Sequence, residues 1–362
     1  MSKETMTWLN NNTLIGMTAK RGKAWHYRKD EQGSEPNHYE GFVPVAEVER
    51  RLFNWDAKSA PLRFDIPGTM DDFTSIDDDG NLVRSVTDET RQVIYHGGTG
   101  EPFGVFKQGY VIHQYADRLL KGLAEIVTPD GLAISTDSLG IGSAGLLRGG
   151  AQAWVQIERP DNVKTPEGVE FRSNLLACTS HDGSLATQYS KVNTIVVCDN
   201  TMEWALGEAR NTGNRIKIMH TKYSHLRIQE AREALKIIVE SADKFAADIA
   251  ELCRIPVSGR QFEAFVGEWA PLPEKEGAAR TRVKEKREKV TDMYRNDNRV
   301  APWAGTAFGV LQLVNTYNHH YASFKSGKTS RAERNMANAI SGKTSEQDQA
   351  TLKVLDLVLA SA

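Results

Sequence analysis

The sequence predicts an α+β protein: an antiparallel β-meander flanked by helices, with a helical C-terminal region. Three observations carry this. Tyr110 to Ile126 sets Ile112, Tyr115, Leu119, Leu120, Leu123 and Ile126 at steps of three and four, one face of a helix. Apolar segments at hairpin spacing follow, separated by turn residues. Beyond residue 209 come long amphipathic and highly charged stretches that read as helices. A helix, a run of strands and another helix make an α+β module.

The elements run in order as follows. Pro44 to Phe53 reads as a short helix that starts at a proline. Asp79-Gly80-Asn81 reads as a turn between two short strands. After the helix over 110–126, Thr128-Pro129-Asp130-Gly131 is a stop. Leu132 to Ile141 is a strand, and Ala151 to Glu158 alternates as a half-buried strand does. Pro160 to Gly168 is a polar loop. Phe171 to Thr179 and Thr187 to Val197 are further strands, the second ending in the apolar trio Ile195, Val196 and Val197. Asp199-Asn200-Thr201 is expected to cap a helix from Met202 to Ala209. Leu226 to Leu252 and Gly305 to Tyr321 are apolar helices, and Glu274 to Lys289 is a charged, exposed one. Leu352 to Leu359 is an apolar tail expected to pack on this chain or on a neighbour in a homo-oligomer. The divisions are a mixed N-terminal region (1–94), an α+β core module (95–208) and a helical C-terminal region with basic stretches (209–362).

The 362 residues are 40% apolar and 25% charged, enough for a real core. Lys plus Arg is 45 against 47 Asp plus Glu, a net charge of −2, so nucleic-acid affinity would have to come from segregated charge. The three cysteines, Cys178, Cys198 and Cys253, build no disulfide framework and fit a reducing compartment. The N-terminus is not a signal peptide, and no apolar stretch reaches about 18 residues. A cytoplasmic protein, in a bacterial host, is expected.

Two Gly-Lys-Thr triplets, at 327–329 and 342–344, suggest a phosphate loop. The required glycine five residues earlier is Ala322 or Ala337, and neither triplet follows a strand, so no nucleotide cofactor is read here. His319 and His320 adjoin, whereas two ligands on a helix stand four apart. His181-Asp182-Gly183-Ser184 places an imidazole beside a carboxylate, which suits acid–base or metal chemistry. Neighbouring strand side chains point to opposite faces, however, and Asp-Gly is turn chemistry. A turn is the favoured reading, and no catalytic or metal residue is assigned.

One charge feature stands out. Between Ala209 and Ile228 lie Arg210, Arg215, Lys217, Lys222 and Arg227 with no acidic residue, and His220, Tyr223 and His225 are interleaved. Cations that neutralise phosphate, with rings that stack on unpaired bases, are what a single-strand groove needs. Lys325, Lys328, Arg331 and Arg334 form a second basic cluster.

Four strings taken together resemble the phage/plasmid-like protein family. They are Gly22-Lys23-Ala24-Trp25-His26, Thr179-Ser180-His181-Asp182-Gly183-Ser184, Val196-Val197-Cys198-Asp199-Asn200-Thr201, and Gly305-Thr306-Ala307-Phe308-Gly309 with Asn315 and His319. Phe308 stands where that family favours tryptophan. Asn193-Thr194-Ile195 stands where an arginine is usual, so no role of that arginine carries over. The resemblance implies a phage or mobile-element origin and supplies no established activity. The order of elements is also similar to the core of single-strand annealing proteins of the RecT and Redβ type, a likeness of fold alone. The leading expectation is a protein that binds single-stranded DNA and promotes annealing or recombination without a nucleotide. A metal-dependent nuclease or hydrolase using His181 and Asp182, or a non-catalytic host-factor-binding protein, are the alternatives.

Overall fold

In the computed structural model the described residues are 8, 11–21, 35–72, 74–127, 139–195, 200–202, 215–222, 224, 238–323, 331–341 and 343–361. The meander is the centre of the fold. Strands β1 (Thr13–Ile15), β6 (Gly140–Leu147), β7 (Gln152–Glu158), β9 (Glu170–Ser180), β10 (Thr187–Ile195) and β11 (Asn200–Met202) lie side by side, all antiparallel. Strand β8 (Val163–Lys164) pairs with β9 inside the expected loop, and β12 (Arg215–Ile218) pairs with β10. Strand β10 therefore has neighbours on both sides, as its apolar character implies. Val196 and Val197 lie outside the described residues.

A second sheet is built from β2 (Ala57–Pro67), β3 (Ser75–Ile76), β4 (Leu82–His96) and β5 (Pro102–Lys107). The sequence signals only its Asp79-Gly80-Asn81 turn, where Gly80 takes φ +83°. Its long hairpin runs through residue 94, where the sequence texture changes.

Helix α1 (Val45–Leu52) agrees with expectation and buries Val48 and Leu52. The helix expected over 110–126 is corrected at its start. It begins with a π-helical segment, Ala116–Lys121, that runs into α2 (Gly122–Val127). Residues 110–114 form no regular element, and Gln114 bonds instead to the backbone of Ala57 through both its amide atoms. The apolar face still packs on the sheet: Tyr115, Leu119, Leu120 and Leu123 share one core with Ile141, Val155, Ile157 and Tyr189.

Strand β7 is buried on both faces, not half-buried. Val155 and Ile157 face that core, while Trp154 joins Leu147, Leu176 and Cys178 on the other side, where Ala337 covers them. Trp154 fits because it crosses Gly145 of β6, where a Cβ would sit 2.1 Å from the indole.

The expected cap and helix start at 199–202 are also corrected. Asn200–Met202 is β11, paired with Asn193–Ile195, since completing the sheet edge satisfies backbone groups that a cap would leave open. Within the stretch beyond residue 209 a further strand is found among the described residues. Arg215-Ile216-Lys217-Ile218 alternates, and it forms β12.

The helical layer consists of α3 (Ile238–Arg254), α4 (Gly259–Trp269), α5 (Ala278–Asn296), α6 (Ala307–His320), α7 (Arg331–Ser341) and α8 (Lys343–Ala360). Helix α6 is its axis: Ala307 to Thr316 are all buried. Ser258 and Gln261 form a capping box at α4, and Thr306 caps α6. The apolar C-terminal stretch is part of α8. It packs on this chain, with Leu355 and Val358 in the same core as Phe265 and Val310. Among the described residues no helix is long and apolar enough to cross a membrane.

Candidate nucleic-acid interface

The part of the basic run that forms β12, Arg215–Ile218, lies along β10. Strand β12 sets Arg215 opposite Ser190 and Lys217 opposite Gln188. Lys217 is exposed and Ile218 fully buried, so β12 turns one cation to solvent and one apolar side chain to the core. Lys222 is also exposed. Arg210, Tyr223 and Arg227 lie outside the described residues.

His220 is not available to a strand of nucleic acid. It is buried in a stack of rings, Phe106 on Tyr110 (4.2 Å), Tyr110 on His220 (4.8 Å) and His220 on His113 (4.0 Å). Rings cover both faces of Tyr110, so the stack is structural. A polar chain closes it: His113 Nδ1 to Thr187 at 2.7 Å, Thr187 to Thr179 at 2.8 Å, Thr179 to His220 Nε2 at 3.4 Å. If His220 Nδ1 donates to the Val111 carbonyl (3.0 Å), each hydroxyl donates toward His220 and His113 Nδ1 starts the chain. Burial, with His220 and Arg118 nearby, pushes the His113 imidazole down to about 2, so it is neutral.

The turn at 181–184 separates its two chemical groups. His181 is buried with its ring on Tyr115, 4.1 Å between centres, and neither ring nitrogen has a hydrogen-bond partner among the described residues. Burial pushes this imidazole down to about 3. Asp182 is half-buried, and its carboxylate accepts from the amide (2.9 Å) and hydroxyl of Ser184 and from Arg148 (3.0 Å). Burial raises the Asp182 carboxyl, but the Ser184 and Arg148 donors outweigh it and hold it below its ordinary value. Gly183 takes φ +73°, which the turn requires. The imidazole lies on Tyr115 while the carboxylate is taken up by Ser184 and Arg148, so the two groups are not paired for acid–base or metal work. Among the described residues no group of three His, Cys, Asp or Glu could hold a metal ion.

A second surface combines cations with rings, and it is assembled from three helices. Lys286 Nζ of α5 stands 3.5 Å from the ring centre of Trp269 at the end of α4 and 5.5 Å from that of Tyr317 on α6. Lys289 stands 4.5 Å from the ring centre of Tyr321. Trp269 meets Tyr317 edge-on at 5.7 Å, and Tyr317 and Tyr321 lie 6.5 Å apart with planes inclined by 23°. Tyr321 is 38% exposed, and its hydroxyl accepts from Arg299 at 2.9 Å. Asp297 neutralises Arg299 at 2.6 Å, but no carboxylate lies at ion-pair distance from Lys286 or Lys289 among the described residues. Burial pushes the Lys286 ammonium down. Helix α5 as a whole carries seven cations against three carboxylates. Arg331 and Arg334 of the expected second basic cluster are nearby but turned to backbone, donating to the Ala322 carbonyl at the end of α6. Lys325 and Lys328 lie outside the described residues.

Residues 102–340, more than half of the chain, match the family described as Domain of unknown function (DUF932). The chain belongs to that family. The DUF932 stretch contains the ring stack, the turn at 181–184, β12 and the cation–ring surface of α4 to α6, whereas most of the second sheet precedes it. No curated protein and no solved structure matches the chain.

The cation–ring surface was not legible in the sequence. Trp269, Lys286 and Tyr317 belong to separate segments, one read only as charged and another only as apolar. The available signal was spacing: Lys286 and Lys289 share one helical face, as do Tyr317 and Tyr321.

Proposed function

We propose that this protein binds single-stranded DNA without catalysing chemistry on it, and that it promotes annealing or recombination of strands without a nucleotide. The observation that carries this reading is the Lys286–Trp269–Tyr317 and Lys289–Tyr321 surface. A lysine over an exposed ring gains only about 0.5–1 kcal/mol. An incoming strand exchanges that contact for two better ones: the base takes the ring and the ammonium takes the phosphate. Duplex DNA offers no free base face to Tyr321, so a single strand is preferred. Lys217 and Lys222 add phosphate contacts at the sheet edge, and β11 sits against α6 and α8, which links that edge to the helical layer. The four strings shared with the phage/plasmid-like family support a setting in phage or plasmid DNA metabolism, in the bacterial cytoplasm. The order of helix, meander and helix supports a likeness to single-strand annealing proteins.

The test is Tyr321→Ala. The ring is partly exposed, so the fold should persist, while affinity for an oligodeoxythymidylate should fall by roughly 1–3 kcal/mol, the worth of one stacked base. Unchanged affinity would remove the surface from the account.

A further inference from the structure

We propose that the hairpin arm of the second sheet is a self-complementary docking surface for a second copy of this chain. The arm begins at the irregularity between Pro61 and Leu62, where β4 skips from Gln92 to Asp88. Beyond it Leu62–Pro67 pairs with Val83–Asp88, and β5 no longer flanks β4. Six residues of strand project about 20 Å. Among the described residues only the two-residue β3 flanks it, pairing with Leu82 and Val83 at the tip, and a hairpin so little supported is marginal in water when nothing covers it.

Its two faces differ. Arg63 and Asp65, with Ser85 and Thr87 opposite, form a polar face. Leu62, Phe64 and Ile66, with Val86 between Arg84 and Asp88, form the other. Phe64 is 47% exposed, and among the described residues none of these apolar side chains belongs to a buried core. An amphipathic strand pair with an uncovered apolar face is what a partner completes.

The charges identify that partner as another copy. Arg84 and Asp88 flank Val86 at opposite ends of the patch, on the same face. A two-fold axis through the Phe64–Val86 pair lays apolar face on apolar face and brings Arg84 of each arm to Asp88 of the other. That reciprocity is the signature of an isologous interface. The same operation turns the acidic tip, with Asp71, Asp72 and Asp77 to Asp79, toward the root of the facing arm, where exposed Arg91 and Lys107 pair across β4 and β5. Within one chain Arg84 reaches Asp72 at 3.4 Å and Asp88 reaches Arg91 at 3.7 Å, both exposed contacts that are readily exchanged.

Sedimentation of the full chain between 1 and 100 μM (roughly the range over which a modest interface is populated) tests this. Wild type should dimerise, and Phe64→Asp should raise the dissociation constant at least tenfold. Arg84→Glu should weaken the dimer, and Arg84→Glu with Asp88→Arg should restore it, because the swapped charges meet again across the two-fold axis. A wild-type monomer at every concentration would overturn the proposal and leave the apolar face to a different partner. A dimer indifferent to Phe64→Asp, or one that the charge swap does not restore, would overturn it too. DNA affinity is not read in this experiment, so its outcome is separate from the single-strand proposal.

Discussion

The imidazoles of His113 and His220 stack face to face, ring centres 4.0 Å apart, and are joined a second time through the hydroxyls of Thr187 and Thr179. One histidine precedes β6 and the other follows β12, so the pair staples the two ends of the run of strands from β6 to β12. Both are buried and both are held below their ordinary pKa by that burial.

Acid should unfold this protein through its histidines. Above about 6.5 the groups are neutral whether the chain is folded or not. As pH falls through that value the unfolded chain takes up protons that folded His113 and His181 refuse. Stability is then lost progressively down to their folded values of about 2 and about 3. Each contributes about 1.4 kcal/mol per pH unit in that window. Urea unfolding at pH 7.5 and pH 5 measures the slope, and equal midpoints at the two pH values would exclude it.

His181→Phe should be tolerated. Neither ring nitrogen has a partner among the described residues, and the ring stacks on Tyr115, so phenylalanine keeps the contact and removes a buried polar group. Stability at pH 7.5 should be unchanged or higher, and the acid slope shallower. If His181 instead serves in hydrolysis, the same variant would abolish a divalent-dependent cleavage of DNA that wild type performs.

Gly145 and Trp154 should behave as a coupled pair. Gly145→Ala places a methyl 2.1 Å from the indole and forces it to move. The expected cost is about 1–3 kcal/mol. In a Trp154→Leu background the same substitution should cost much less. A double-mutant cycle with no coupling would mean that the ring does not lie across the glycine.

The C-terminal helix offers an internal control. Leu355 is 1% exposed and Leu357 is 71% exposed, two residues apart on α8. Leu355→Ala should cost about 2–5 kcal/mol. Leu357→Ala should cost within about 0.5 kcal/mol. Comparable losses would indicate that Leu357 is covered in solution.

What was legible in the sequence follows from how locally each feature is encoded. Thr187 to Ile195 and Phe171 to Thr179 alternate or run apolar over enough residues to declare themselves strands. Ala307 to His320 does the same for a helix, because a helix buried all round needs an unbroken apolar run. Asn200-Thr201 was misleading because cap residues also suit a strand end, and only pairing with Asn193–Ile195 decides between them. The β2–β4 arm was missed, although Leu62 to Ile66 alternates as a strand does, because Pro61 and Pro67 bound that stretch and the tip is acidic, the texture of a loop. At the site, the basic residues of β12 were visible as a run. The convergence of Trp269, Lys286, Tyr317 and Tyr321 was not, since it depends on how α4, α5 and α6 cross.

The most direct test of the central claim is a salt titration of binding to a labelled oligodeoxythymidylate, wild type against the Lys286→Ala, Lys289→Ala double variant. Each phosphate contact on a single strand contributes about 0.7 to the slope of log affinity against log salt. Wild type should bind the single strand more tightly than a duplex of the same length, and the double variant should lose about 1.4 units of slope. Failure of wild type to bind, or a slope unchanged by the two substitutions, would contradict the account.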